Sequence, residues 1–238
     1  MKVKLLALAV TSLISVNAMA VTIDYRHEMQ DTAKGDHKDR LSISHRFDNG
    51  FGISVEAKWK NGEPSSSTTP DKPFHEPVSN GTEVKASYAY KINDTFALEP
   101  GLTFESNNTS STYKPYLTGK VNIIKDLSYS LRYRPYYTRT SGNIGKANTS
   151  ENGYNLTGTL SYKFLKDFGI SYETDYKKSN RANNYQADNE TWKIDHNVKL
   201  SYKWDKNWTP YVEVGNVAAD KLSDERQTRY RAGIQYNF

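Results

Sequence analysis

The chain has 238 residues, with no cysteine, 18 tyrosines, and 32 Lys and Arg against 27 Asp and Glu. Without cysteine there is no disulfide to compensate for a thin core. No apolar run of twenty residues follows the N-terminal segment, which excludes helical membrane spans, and the charge is too balanced for a nucleic-acid binder.

Residues 1–20 carry Lys2 and Lys4, a mostly apolar run over 5–16, and the small-x-small Ala18-Met19-Ala20. This is the pattern of an export signal cleaved after Ala20. Removing Lys2 and Lys4 takes the bases from 32 to 30 against 27 acids, a net charge of +3. Residues 21–238 then form one domain.

Period-two alternation, the mark of a strand with different environments on its two faces, begins at once. Residues 21–30 set Val21, Ile23, Tyr25 and Met29 against Asp24, Arg26 and Glu28. Residues 38–48 set Leu41, Ile43 and Phe47 against Arg40, Ser42, Ser44 and Arg46. Asn49-Gly50 is a tight-turn signal, and 51–60 sets Phe51, Ile53, Val55, Ala57 and Trp59 against Ser54, Glu56, Lys58 and Lys60. Residues 61–81 read as a polar loop with four prolines. Strands follow at 82–91, 95–105, 112–122, 127–138, 153–164, 168–177, 190–204, 208–217 and 227–238. The last alternates Tyr230, Ala232, Ile234, Tyr236 and Phe238 with Arg229, Arg231, Gly233, Gln235 and Asn237.

The connections decide the architecture. Short turns fall near 49, 93, 124, 166 and 206; longer polar loops fall near 31–37, 61–81, 106–111, 139–152, 179–189 and 218–226. They alternate strictly, giving eleven connections and twelve strands. An even strand number, with short turns at one end and long loops at the other, predicts an all-β, transmembrane antiparallel β-barrel in an outer membrane, with both termini at the periplasmic, short-turn end. Trp59, Trp192, Trp204 and Trp208 fall at strand ends, as interfacial girdles require. Two features fit this plan less readily. Pro100, Pro115, Pro135 and Pro210 lie inside strands, where proline removes a ladder donor, and His27, His45 and His196 fall on the apolar face.

With the apolar face toward lipid, nearly every strand charge points into the lumen. The basic residues singled out as an anion path are Arg26, Arg40, Arg46, Lys58, Arg132, Arg134, Lys163, Lys199, Arg229 and Arg231. Inward acids, among them Asp24, Glu28, Glu56, Glu105, Asp175 and Glu213, are available to pair with them across strands. Arg132 with Arg134, and Arg229 with Arg231, place like charges two residues apart, which is unfavourable unless an anion or an acid lies between them. The guanidinium fork suits carboxylates. Conduction needs many weak sites and no deep one, so a ladder of bases would pass a chain of anionic sugars from one to the next.

Asp24-Tyr25-Arg26-His27-Glu28, Asp39-Arg40, His45-Arg46-Phe47 with Asn49-Gly50, and the ending Gln227-Thr228-Arg229-Tyr230-Arg231-Ala232-Gly233-Ile234-Gln235-Tyr236-Asn237-Phe238 resemble the oligogalacturonate-specific porin family (KdgM type). The resemblance covers the mature chain and is sharpest at its two ends. It implies a small monomeric channel in the outer membrane of a Gram-negative bacterium, embedded in outer-membrane lipid. Such a channel passes acidic oligosaccharides from pectin into the periplasm, and relatives pass sialic acid. The alternatives are a general small-solute or sialic-acid-type porin, or a barrel enzyme. The last needs a serine beside a histidine, yet Ser44 and His45 are adjacent strand residues that face opposite sides. No metal-ligand spacing, phosphate loop or nucleic-acid motif appears, so neither a cofactor nor a catalytic group is expected.

Overall fold

The computed structural model describes residues 21–31, 36–62, 72–140 and 150–238; residues 1–20, expected to be an export signal, lie outside the described residues. The strands are β1 (Val21–Gln30), β2 (His37–Arg46), β3 (Phe51–Asn61), β4 (Pro77–Tyr88, resuming as Tyr90–Lys91), β5 (Phe96–Ser106), β6 (Ser110–Ile124), β7 (Leu127–Thr140), β8 (Ser150–Phe164), β9 (Phe168–Ser179), β10 (Trp192–Tyr202), β11 (Trp208–Ala218) and β12 (Arg226–Asn237). Each pairs antiparallel with its sequence neighbours, and β1 pairs with β12 from Thr22 opposite Asn237 to Gln30 opposite Arg229. The sheet is therefore a closed ring of twelve strands with no open edge, as lipid demands of a spanning sheet.

Burial is inverted relative to a water-soluble fold. Asp24, Glu28, Thr103, Asn155, Thr157, Asp195 and Asn197 are buried in the interior, while Ile53, Val55, Leu102, Leu131, Leu160, Val198 and Val212 are exposed on the outside. The alternation read from the sequence thus separates lumen from lipid. The short turns close on side-chain caps. Asn93 Oδ1 accepts from the Thr95 and Phe96 amides, and Asp205 Oδ1 accepts from the Asn207 and Trp208 amides at 2.7 Å. The amides of Trp208 and then Asn207 hold the exposed Asp205 carboxyl below its ordinary value. Gly50 takes φ +91°, with the Ala89 carbonyl oxygen 2.6 Å from where a Cβ would stand.

Strand ends shift by one to three residues from expectation at several places, among them Ser150 and Thr140, which shorten the loop expected at 139–152, and the largest difference is in β4. Residues 77–81 belong to β4 rather than to the loop, because the sheet absorbs them through a bulge. Lys58 pairs with Gly81 and Trp59 with Ser79, which leaves Asn80 unopposed, and Gly81 adopts φ +110°.

The prolines sit where the ladder has been released from needing their N–H. On the constant register of β6 and β7, Pro115 stands opposite Pro135, and pairing lapses between Tyr113–Tyr137 and Leu117–Tyr133 before resuming unshifted. Pro100 stands opposite Tyr88, at the point where β4 breaks at Ala89 and the Ala89 amide turns to the Gly50 carbonyl instead. Pro210 lies just past Tyr211, where the pairing of β11 with β10 ends. Each proline therefore faces a gap or an end of the ladder on one side, where no amide is called for.

The outward histidines have partners. The Tyr25 hydroxyl donates to Asp39 Oδ1 at 2.6 Å, and His27 Nδ1 hydrogen-bonds the same oxygen at 2.9 Å. His27 Nε2 meets His37 Nδ1 at 3.1 Å, and Phe74 lies against the His27 ring at 4.8 Å. Asp39 is thus an outward acid, held at the long-loop end. His196 bonds the Tyr172 hydroxyl at 2.8 Å, and His45 meets the Phe47 ring edge-on at 4.3 Å.

Three buried tyrosines seat on glycines across the ladder: Tyr116 on Gly101, Tyr136 on Gly153 and Tyr211 on Gly233. A Cβ at Gly153 would stand 2.0 Å from the Lys178 carbonyl oxygen and 2.6 Å from the Tyr136 hydroxyl. Gly153→Ala is expected to cost about 1–3 kcal/mol through overpacking, read as a lower urea midpoint for the heat-modifiable folded band. Gly119→Ala, whose Cβ would meet only Leu98 at 3.8 Å, should leave the midpoint unchanged.

Candidate functional site: a charged lumen

All ten basic residues singled out from the sequence share the lumen face, but their partners divide them. From β1 to β6 runs a continuous belt of opposite charges. Arg40 donates to Asp24 at 2.6 Å and lies 3.3 Å from Glu56. Lys58 lies 3.5 Å from Glu56 and from Glu83 and 2.9 Å from Glu105, which also pairs with Lys114 on β6. Arg46 pairs with Glu99 at 2.9 Å. At the closing seam, Arg231 Nε donates to Glu28 at 2.7 Å and Nη1 to Glu213 at 2.5 Å. Arg40, Arg46, Lys58 and Arg231 are therefore neutralised by carboxylates.

On β7 to β10 the pattern reverses except at Lys193, which pairs with Asp195 at 2.5 Å. Asp175 accepts from Asn155 at 2.8 Å and Thr157 at 2.5 Å, Glu173 from Asn197 at 3.1 Å, and Glu151 from Tyr136 at 2.9 Å. With these acids satisfied by neutral donors, the bases beside them are left without a carboxylate. Among the described residues, Arg132, Arg134, Lys163 and Lys199 make no ion pair, and neither does Lys177, a lumen base outside the ten. Arg132 donates only to Thr157, at 3.2 Å. Lys199 lies 3.9 Å over the Tyr211 ring and Lys177 5.2 Å from the Tyr136 ring.

The remaining two bases stand on the far side. Arg229 donates to the Asn197 amide oxygen at 2.6 Å, and Arg26 lies 3.9 Å from Glu28, its one carboxylate contact among the described residues. The Nε atoms of Arg26, Arg132, Arg134 and Arg229 are buried without a hydrogen-bond partner among the described residues. β7 and β12 are five strands apart in a ring of twelve, so the two arginine pairs face each other across the lumen rather than lining one wall.

The sequence-based selection also passed over Tyr116, Tyr136 and Tyr211. Their hydroxyls donate to Glu99, Glu151 and Asp24 at 2.9, 2.9 and 3.1 Å, removing acceptor capacity from the lumen. The available signal was an aromatic residue on the polar face with a glycine opposite. Among the described residues no group of three His, Asp or Glu side chains is placed to hold a metal ion.

A closed twelve-strand barrel with a charged lumen is a channel architecture, and comparison with known proteins gives it a family. The model for "Oligogalacturonate-specific porin protein (KdgM)" matches residues 14–238. The oligogalacturonate-specific porin KdgM of Dickeya dadantii (strain 3937) is 62% identical over 238 residues, covering all of both chains. The N-acetylneuraminic acid outer membrane channel protein NanC of Escherichia coli (strain K12) is 24% identical, covering 92% of this chain and 91% of its own. A solved KdgM porin superposes with a TM-score of 0.68 at 50% identity, covering 91% of this chain and 99% of that one, and a second structure holds disordered oligogalacturonate. Sequence, fold and lumen agree: the chain belongs to the oligogalacturonate-specific porin family of the Gram-negative outer membrane.

Proposed function

We propose that the chain is a passive, anion-selective channel that admits oligogalacturonates to the periplasm. In this reading the polyanion runs along β7–β10 over Arg132, Arg134, Lys163, Lys177 and Lys199, with Arg229 and Arg26 facing it. The observation that carries the reading is the satisfaction of Asp175, Glu173 and Glu151 by neutral donors, which leaves the neighbouring cations available to carboxylates of the solute. Arg40, Arg46, Lys58 and Arg231 serve instead as wall, holding strands together through their acids. The outward apolar face continues around the ring, which supports a monomer embedded in outer-membrane lipid, and residues 1–20 are read as an export signal removed after Ala20. No catalytic role is assigned: Ser44 and His45 lie on opposite faces, and the outward Tyr25–Asp39–His27–His37 chain bonds within itself.

Several separated cations distinguish a polyuronate from a single carboxylate. Each charge-assisted hydrogen bond contributes about 1.5–3 kcal/mol, so engaging even one more carboxylate strengthens binding by about tenfold or more. In planar bilayers the channel is expected to favour chloride over potassium. Trigalacturonate should block it transiently at concentrations about tenfold below those needed for galacturonate or sialic acid. Cation selectivity, or equal block by all three acids, would overturn the proposal.

A further inference from the structure

The short-turn mouth of the lumen carries a recess at the end of the path along β7–β10, with which it shares Lys163. It has a volume of about 510 Å³ and is formed where β6, β7 and β8 reach the periplasmic end, with Lys120, Asn122, Ser128, Ser161 and Lys163 among its walls. These five side chains all share the lumen face of their strands. Ser128 and Ser161 stand directly opposite each other, and Asn122 stands opposite Ser128. Lys120 and Lys163 are exposed. Neither ammonium group has a carboxylate or hydrogen-bond partner among the described residues, and neither serine hydroxyl has a hydrogen-bond partner there.

Two acids also line the recess. Asp94 is engaged by Lys91 at 2.6 Å, and Asp126 stands at the β6–β7 turn beside Lys125, with φ +68°. The recess therefore keeps a positive surplus at a point where a solute leaving the lumen must pass. The Asn122 amide is already committed, donating to the Asp94 carbonyl at 2.8 Å. What remains, beside Lys125 and Asp126 at the turn, is two ammonium groups flanking two hydroxyls.

From this arrangement we infer that the recess is an exit subsite, the last station of the path, for the leading uronate of an oligogalacturonate, its carboxylate between Lys120 and Lys163 and its ring hydroxyls on Ser128 and Ser161. The inference rests on the anion path proposed above and adds a position and a direction to it. Lysine is the apt residue here. An ammonium is a compact, strongly hydrated charge without the bidentate fork of arginine, so it attracts a carboxylate without holding it deeply, as a multi-site channel requires of its last station. The subsite also makes the channel unequal at its two ends, because exposed, unpaired cations at a mouth raise the capture rate of anions from that side.

The test is single-channel block by trigalacturonate added from one side at a time, with the two faces distinguished by protease cleavage of the long loops. In the variant carrying Lys120→Gln and Lys163→Gln, the ratio of the association rate from the short-turn side to that from the loop side is expected to fall about threefold or more. It should fall least at high salt, where such steering is screened in the parent as well. The charge-preserving variant carrying Lys120→Arg and Lys163→Arg should keep the parent ratio, which separates loss of charge from loss of structure. An unchanged ratio in the glutamine variant overturns the exit subsite alone. Absence of block from both sides in the parent overturns the anion path and the subsite with it.

Discussion

Trigalacturonate binding is expected to weaken at least about tenfold when Arg132 and Arg134 are both replaced by Gln, since at least one charge-assisted hydrogen bond is lost. The barrel should remain at least as stable as the parent. The two effects separate because of how the β7 wall is built. Arg132 donates only to Thr157, Arg134 has no carboxylate, and the nearby Asp175 already accepts from Asn155 and Thr157. Removing the guanidinium groups therefore strands no acid. It relieves the repulsion of two like charges two residues apart, and it deletes two buried Nε groups that have no partner. Single-channel block and reversal potential read the first effect, and the urea midpoint of the heat-modifiable band reads the second. Equal block in variant and parent would remove β7 from the path. A large fall in midpoint would mean that these arginines hold the wall instead. Arg→Lys at both positions should give intermediate block, since charge survives and the planar fork does not.

The twelve strands were legible because each lipid-facing position contrasts sharply with its lumen-facing neighbours, a signal repeated at every residue of 51–60 or 227–238. Loop length supplied the rest of the plan. The division of the lumen bases was not legible, because pairing depends on diagonals between strands rather than on position along one strand. Arg40 shows why: directly opposite it stand Arg26 and Lys58, both bases, while its carboxylates, Asp24 and Glu56, lie one step off the row. Arg134 looks equivalent along its own strand, yet stands opposite Asn155 and finds no acid. Residues 77–81 were hidden for a different reason. Their Pro, Ser, Asn and Gly composition is that of a loop, and only the bulge at Asn80 lets such a segment join the sheet. Outward His27 became intelligible once Asp39 proved to share its face, and His196 once Tyr172 did, because each supplies the partner that lipid would not.

Arg231→Gln should produce the reverse of the β7 variant: a large loss of stability with a smaller change in block. Arg231 is 14% exposed in its side chain, and the acids on either side, Glu28 and Glu213, are 9% and 13% exposed, so solvent screens them little. It stands directly opposite Glu28 on β1 and directly opposite Glu213 on β11. One cation thus bridges two acids across the strand that closes the ring, while Arg26 and Lys38 approach Glu28 only to 3.9 Å. Removing it leaves Glu213 without a cation among the described residues and Glu28 with only the 3.9 Å approaches of Arg26 and Lys38, at a cost of about 2–4 kcal/mol once lumen water is allowed for. The unfolding midpoint in urea should fall, and the heat-modifiable band should convert at lower temperature. Adding Glu28→Gln and Glu213→Gln to the same chain should recover most of the loss, because the penalty comes from the stranded charges rather than from the missing attraction. Failure of that recovery would place the role of Arg231 in packing at the seam, whereas success would make the closing strand the place where lumen charge stabilises the barrel and the β7 wall the place where it is kept free for the solute.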